Sequence, residues 1–339
     1  MTSGRGGGAA PAPAGVDILH PALELDDLRV ANAEGQALLH GVSLQLARGE
    51  VLGLVGESGC GKSITGATAM GMLPPGLALR GGNVRIAGES LTAFNETAPA
   101  NGMRGRHIAL IPQDATASLN PTRTIGWHLV DGLRRHRGLD AREAGRASRQ
   151  LLSEVGLTPP ERWARAYPHQ LSGGMNQRVA IARALTGNPD ILIADEPTTA
   201  LDVTMQAQVL ELLTNLVQSA GLALLFITHD LGVVAQIADR VAVMYCGRIV
   251  ETAAVAAFFH RPRHPYSEGL LASIPSLDRR QDVAPLPGTV PSPGALPDGC
   301  AFHPRCSRPL PVCLGNRPHL NTAGGGLVAC HAAMELASA

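Results

Sequence analysis

The chain has 339 residues, 45% of them hydrophobic, which is room for one large domain with an appendage or for two domains. Its formal net charge is zero, which excludes a chain-wide electrostatic footprint for nucleic acid. No apolar run is long enough to cross a bilayer and no basic start precedes an apolar core, so a soluble cytoplasmic chain is expected.

In chain order, residues 1–17 are rich in Gly, Ala and Pro and read as a disordered tail. Two loosely alternating runs within 22–45, split by Asn32-Ala33-Glu34-Gly35, predict an antiparallel strand pair. Val51-Leu52-Gly53-Leu54-Val55 is a short buried strand, and a helix begins at Ile64. Pro74-Pro75-Gly76 stops the chain before strands at 82–86 and 107–111. Residues 120–172 are helical in character. The cluster Arg134, Arg135 and Arg137 reads there as a solvated face. From 175 the pattern is α/β: helix to 185, strand 190–194, helix 204–218, strand 222–228, helix 231–237, then strands 240–245 and 248–250. Continuous apolar strands of this kind suit a parallel sheet covered on both faces. Short helices follow at 253–260 and 266–274. A Pro-rich linker over 275–299, with Pro285, Pro287, Pro291, Pro293 and Pro297, leads to a cysteine-bearing segment at 300–331.

Between the strand at 51–55 and its helix lies Gly56-Glu57-Ser58-Gly59-Cys60-Gly61-Lys62-Ser63, which fits the phosphate-binding pattern G-x-x-x-x-G-K-[ST]. Glycines let successive backbone N–H groups turn toward phosphate oxygens at a helix N-terminus, where the macrodipole favours negative charge. Lys62 is placed to bridge the β- and γ-phosphates, and Ser63 to hold Mg²⁺. Cys60, inside this loop, predicts an ATP site sensitive to thiol reagents. The strand at 190–194 ends in Asp195-Glu196. An acid there completes the Mg²⁺ shell, and a second carboxylate orients or deprotonates the attacking water. Ser172 is available to cap a helix opened by Gly173-Gly174, a second anion-binding terminus.

Leu171-Ser172-Gly173-Gly174 followed by Gln177-Arg178 resembles the signature of ABC-type ATPases. Gln113 matches that family's Q-loop, Ala200-Leu201-Asp202 its D-loop and His229 its H-loop. The resemblance spans about 23–250. It implies an ATPase core of residues 18–252, with a RecA-like sheet, an antiparallel β subdomain and a helical subdomain near 120–172. It further implies nucleotide contacts from Gly56, Ser58, Gly59, Cys60, Gly61, Lys62, Ser63 and Ile64. Gln113 and Asp195 would join Ser63 around Mg²⁺, while Glu196, His229, Gln113 and Lys62 would serve catalysis. Each ATP would be held in a head-to-tail dimer between one subunit's P-loop and the other's Ser172, Gly173, Gly174 and Asp202. With one P-loop in the chain, the second ATPase comes from elsewhere, and the resemblance favours a paralogue.

Asp114 to Pro121, His264-Pro265-Tyr266 and the cysteine-bearing tail look like the peptide-uptake branch of that family. Two departures stand out. Val30, Ala31 and Asn32 lie where many relatives stack an aromatic on adenine, and Pro112 replaces an aromatic before Gln113. Cys300, Cys306, Cys313 and Cys330 are spaced C-x5-C-x6-C-x16-C in a core-poor extension, 253–339, which reads as a metal staple. The absence of a tight C-x2–4-C knuckle disfavours zinc. Four thiolates also suit a [4Fe–4S] cluster, which the resemblance implies; zinc ranks second and free thiols third. The resulting expectation is an ATP-hydrolysing subunit for peptide import, peripheral on the cytoplasmic face of the inner membrane. Its partners would be two transmembrane permease subunits and an extracytoplasmic substrate-binding protein, with no nucleic acid. Nickel or metallophore import is the alternative substrate class, and a soluble ABC ATPase acting on nucleic acid or ribosomes the alternative function. A cassette that only binds ATP for redox regulation is a third reading.

Overall fold

The computed structural model describes residues 21–91, 102–199, 201–274, 286–323 and 325–338. The N-terminal tail, Ala200, Pro285 and most of the first half of the Pro-rich linker lie outside these residues. Strand β1 (Leu23–Asn32) pairs antiparallel with β2 (Ala37–Leu46), as the alternating pattern predicted. Next come β3 (Val51–Val55), helix α1 (Lys62–Ala69), β4 (Leu77–Ile86), β5 (Glu89–Ser90) and β6 (Ile108–Ile111). The smaller sheet has the order β2-β1-β4-β5.

The helical stretch resolves into α2 (Ile125–Arg137), α3 (Ala141–Glu154) and α4 (Pro160–Arg165). Helix α3 starts on a capping box: Asp140 accepts from the Glu143 N–H while the Glu143 carboxylate accepts from the Asp140 N–H. Arg134, Arg135 and Arg137 are exposed, so that cluster is a solvated face. Helix α5 (Gly173–Ala184), β7 (Ile191–Asp195), α6 (Val203–Ala220), β8 (Ala223–Thr228) and α7 (Leu231–Ile237) alternate as read from sequence. Strands β9 (Arg240–Tyr245) and β10 (Arg248–Ala254) form a hairpin.

The larger sheet runs β11-β12-β10-β9-β3-β8-β7-β6, parallel from β9 to β6. Its central strands β3 and β8 are buried at every residue, the pattern of a sheet covered on both faces. On one face, Leu52, Leu54, Ile193 and Ile227 pack with α1 and the smaller sheet through Leu23, Leu39 and Val84. On the other, Leu192, Leu224 and Phe226 pack with α2, α3, α5 and α6.

Beyond β10 lie α8 (Val255–His260) and α9 (Pro265–Ala272), then β11 (Asn321–Ala323), β12 (Gly326–Val328) and α10 (His331–Ser338). The parallel strands end with β9 at Tyr245, and the sheet continues antiparallel beyond it: β12 pairs with β10, through Glu251↔Val328 and Thr252↔Leu327. The extension is thereby built onto the ATPase sheet. Two further contacts reinforce it, an aromatic group of Tyr245, Tyr266 and Phe302 and the buried Phe258.

Candidate functional site

Four neighbouring strands end level with one another. Val55 pairs with Thr228, Asp195 with Ile227, and Ile111 with Ala194. The segments that follow β3, β8, β7 and β6 therefore meet at one edge, the usual ligand position in an open α/β sheet. Those segments carry Gly56–Ser63, His229, Asp195-Glu196 and Gln113.

The P-loop has the curvature its glycines predict. Gly56, Gly59 and Gly61 have φ of +154°, +79° and +108°. A Cβ on Gly56 would stand 2.2 Å from the Met244 carbonyl oxygen and 2.8 Å from Cys60 Sγ, so the loop has no room for a side chain there. The β9–β10 hairpin braces it, with the Gly247 N–H donating to the Cys60 carbonyl at 2.8 Å. Lys62 is 5% exposed, and its Nζ donates to the Gly56 carbonyl at 2.7 Å and the Glu57 carbonyl at 3.1 Å. Its cationic head thus lies across the mouth of the loop.

Opposite the loop, Ser63 Oγ donates to Asp195 Oδ1 at 3.1 Å. Burial raises the Asp195 carboxyl above its ordinary range, although the Ser63 hydrogen bond works the other way. Two hard oxygen donors at this separation suit a Mg²⁺ ion. Glu196, next along, has φ of +46°, a left-handed backbone that turns its side chain out of the strand line. Its carboxylate accepts from Gln113 Nε2 at 3.3 Å and Thr199 Oγ1 at 2.9 Å, and faces His229 Nδ1 at 3.1 Å. Burial disfavours its charge, yet the hydrogen bonds of His229 and Thr199 outweigh burial, and its pKa is lowered. It is an ionised carboxylate at neutral pH. Thr199 was not singled out from sequence, and nothing but its place three residues after Glu196 would have indicated it.

One chain does not bring all the expected nucleotide contacts together. Ser172 is exposed and caps α5, accepting from the Met175 N–H at 3.3 Å. Asp202 caps α6, accepting from the Met205 N–H at 2.9 Å. No hydrogen bond joins Ser172, Gly173, Gly174 or Asp202 to the Lys62–Asp195–Glu196 group among the described residues. Ala200, the first residue of the expected D-loop, lies outside the described residues. In the aromatic-free stretch Val30-Ala31-Asn32, Asn32 closes the β1–β2 turn, its Oδ1 accepting from the Glu34 and Gln36 N–H groups.

Cys60 corrects an expectation. It is 1% exposed, and burial raises its thiol pKa, so it is neither accessible nor ionised. A thiol-sensitive ATP site does not follow from its place in the loop.

The expected metal site is also corrected in part. Cys313 and Cys330 are buried, and Cys300 and Cys306 half-buried, in one small region where the Cys300 N–H donates to the Cys313 carbonyl at 2.9 Å. Burial pushes the Cys300 thiol up to about 11, and the charges that Cys313, Cys330 and Cys306 would carry add to that effect. In type and number these donors fit a thiolate-bound metal. In placement they do not: among the described residues, no three His, Cys, Asp or Glu side chains are close enough to hold an ion. His303 and His331 are turned to the backbone carbonyls of Cys300 and Asn316.

Two residues of this extension reach the P-loop, which sequence reasoning did not foresee. Arg305 pairs with Glu57 through two hydrogen bonds, at 2.8 and 3.0 Å, and the Glu57 N–H donates to the Tyr266 hydroxyl at 2.9 Å. Both were visible only as members of short motifs, 248 and 209 residues from Glu57.

The ABC transporter family model matches residues 39–199, and the model of the oligopeptide/dipeptide transporter C-terminal region matches 250–313. The oligopeptide transport ATP-binding protein AppD of Bacillus subtilis (strain 168) is 47% identical over 288 residues, 84% of this chain and 88% of that protein. The dipeptide transport ATP-binding protein DppD of the same organism is 46% identical over 277 residues, 81% of this chain and 82% of that protein. Among solved structures, the ATP-binding cassette MJ0796, a dimer in a post-hydrolysis state with ADP and Pi, superposes with a TM-score of 0.60 at 28% identity. That match covers 69% of this chain and 98% of the other. With its P-loop, paired carboxylates and matching extension, the chain belongs to the ABC transporter ATPases, in the branch of the oligopeptide and dipeptide transport ATP-binding proteins.

Proposed function

We propose that this chain is the ATP-hydrolysing subunit of an importer for oligopeptides or dipeptides, docked on two permease subunits at the cytoplasmic face of the membrane and served by an extracytoplasmic binding protein. The observation that carries the ATPase part is the hydrogen-bonded group Ser63–Asp195 and Gln113–Glu196–His229 beside the P-loop. The importer part is supported by the two relatives and by the match to the transporter C-terminal region. In this reading the loop amides and Lys62 hold the β- and γ-phosphates, with Ser63 and Asp195 at the Mg²⁺ position. The ion would neutralise charge on the transferring phosphoryl group. Glu196 accepts the proton of the attacking water, and Gln113 and His229 hold that carboxylate in place. Lys62 must leave the Gly56 and Glu57 carbonyls to meet phosphate.

A head-to-tail dimer completes each site, with Ser172 and Gly173 of one subunit facing the phosphates of the other. Support comes from their exposure at a capped helix start. The test is affinity purification of Glu196→Gln with ATP from detergent-solubilised cells. Two multi-span membrane proteins and a second ATPase should co-elute. Ribosomal proteins or nucleic acid without a membrane protein would overturn the importer.

The proposal extends to the four cysteines as ligands of a [4Fe–4S] cluster, with zinc as the alternative. Donor type and shared location support it, and it requires the thiols to draw closer than they stand. Anaerobically purified protein should carry iron and acid-labile sulfide. Four thiols freely titratable in native, metal-free protein would sink it.

A further inference from the structure

Glu57 places a carboxylate on the loop that receives a triphosphate, so its charge opposes the ligand unless something balances it. The balance comes from the opposite end of the chain. Arg305 Nη1 and Nη2 grip Glu57 Oε2 and Oε1 at 2.8 and 3.0 Å, a bidentate geometry, and the arginine side chain is only 4% exposed. The guanidinium is itself fixed. Its Nε donates to the Pro287 carbonyl at 2.8 Å, and it lies 5.8 and 5.9 Å from the ring centroids of Tyr245 and Phe302. Glu57 is held at its backbone too, its N–H donating to the Tyr266 hydroxyl at 2.9 Å.

We propose that Arg305 and Tyr266 are positioning residues for ATP, which hold the P-loop in its phosphate-receiving form and, through Arg305, cancel the charge of Glu57. The C-terminal extension thereby sets the ATP affinity of the cassette. Arg305 directly precedes Cys306, so whatever orders or disturbs the cysteine loop acts on Glu57 through one side chain. This inference rests on the ATPase reading above.

The test uses the full-length chain and compares KM for MgATP and kcat in Arg305→Ala, Arg305→Lys, Glu57→Gln and the double variant Arg305→Ala/Glu57→Gln. Arg305→Ala should raise KM about tenfold, the scale expected for an uncancelled charge near the phosphates, with kcat changed far less. Arg305→Lys keeps the charge without the fork and should fall between. Glu57→Gln leaves the Arg305 charge uncancelled beside the phosphates and should lower KM rather than raise it, and adding it to Arg305→Ala should restore most of the lost affinity. Arg308→Ala, which breaks the pair with Glu268 and leaves the Arg305–Glu57 pair intact, is the control expected to match wild-type KM. An Arg305→Ala enzyme with wild-type KM would overturn the inference. So would a double variant no better than Arg305→Ala, because the arginine would then serve packing alone. If Arg305→Ala does not fold, a wild-type KM in Arg305→Lys together with a raised KM in Glu57→Gln overturns it equally. A wild-type chain that fails to hydrolyse ATP would instead strike the ATPase reading.

Discussion

Glu196 shows how far one residue's chemistry depends on its immediate neighbours. Three polar groups, from Gln113, Thr199 and His229, converge on its two oxygens. The hydrogen bonds of His229 and Thr199 keep it ionised against the cost of burial, as a general base for water would need to be. Replacing it by Gln preserves size and most hydrogen bonds but removes the basic oxygen. Turnover should fall by about 10²-fold or more while ATP binding persists, as separate kcat and binding measurements would show. Cys60 gives the opposite lesson. Its position in the motif suggested reactivity, but the fold encloses it and burial holds the proton on sulfur. Native protein treated with N-ethylmaleimide should lose ATPase activity at the same slow rate in wild type and Cys60→Ser. Rapid inactivation confined to wild type would contradict this.

Elements meet here through glycines whose importance depends on what surrounds them. Gly187, at the end of the short turn that follows α5, lies against the backbone before β6. A Cβ there would fall 1.4 Å from the Gly105 carbonyl oxygen, a collision that no rotamer relieves. Gly187→Ala should destabilise the chain by about 3 kcal/mol, seen as a lower urea midpoint. At Gly173, the first residue of α5, a Cβ meets nothing within 4 Å. Gly173→Ala should leave the unfolding free energy from urea titration within about 0.5 kcal/mol of wild type. If that helix start faces a partner's phosphates, the same variant should still lower ATPase activity of the assembled dimer. Equal activity would remove Gly173 from the site.

Across the whole molecule, the joint between cassette and extension makes stability depend on pH. His264 is buried at the start of α9. Its Nδ1 accepts from the Tyr266 N–H at 3.0 Å, so protonation at that nitrogen breaks the cap. Burial, with Arg308 adding repulsion, depresses its pKa from 6.5 to about 3. Burial and Arg248 likewise depress His40, to about 4. In the unfolded chain both take up a proton near their ordinary pKa, so the unfolded state binds more protons as pH falls below about 6.5. Their contribution is therefore complete above that value and is lost on acidification toward their folded pKa values. For His264 the limiting slope is about 1.4 kcal/mol per pH unit. Glu251, whose carboxylate accepts from the Arg263 and His264 N–H groups, acts in the other direction. Burial raises its pKa, and its contribution is lost as pH rises through the folded value. Urea midpoints from pH 6.5 to 4 should fall more gently in His264→Gln than in wild type. An equal slope would assign the acid sensitivity elsewhere.

What the sequence determined by itself is the part of this protein written in short spacings. The P-loop, the strand that ends in Asp195-Glu196, the Ser172 cap and the parallel α/β core all follow from residues within one or two turns or strands of each other. Local backbone geometry enforces such patterns wherever they sit. The cysteine spacing was legible as a donor set, but the distance between thiols was not, and neither was the burial of Cys60. Only the tertiary structure brought Gln113, Glu196 and His229 together, because that requires β6, β7 and β8 to lie side by side with level ends. It alone carried β12 onto β10 and set Arg305 against Glu57, 248 residues away. Contacts of that range depend on sheet order and on how the extension folds back, which no local periodicity encodes.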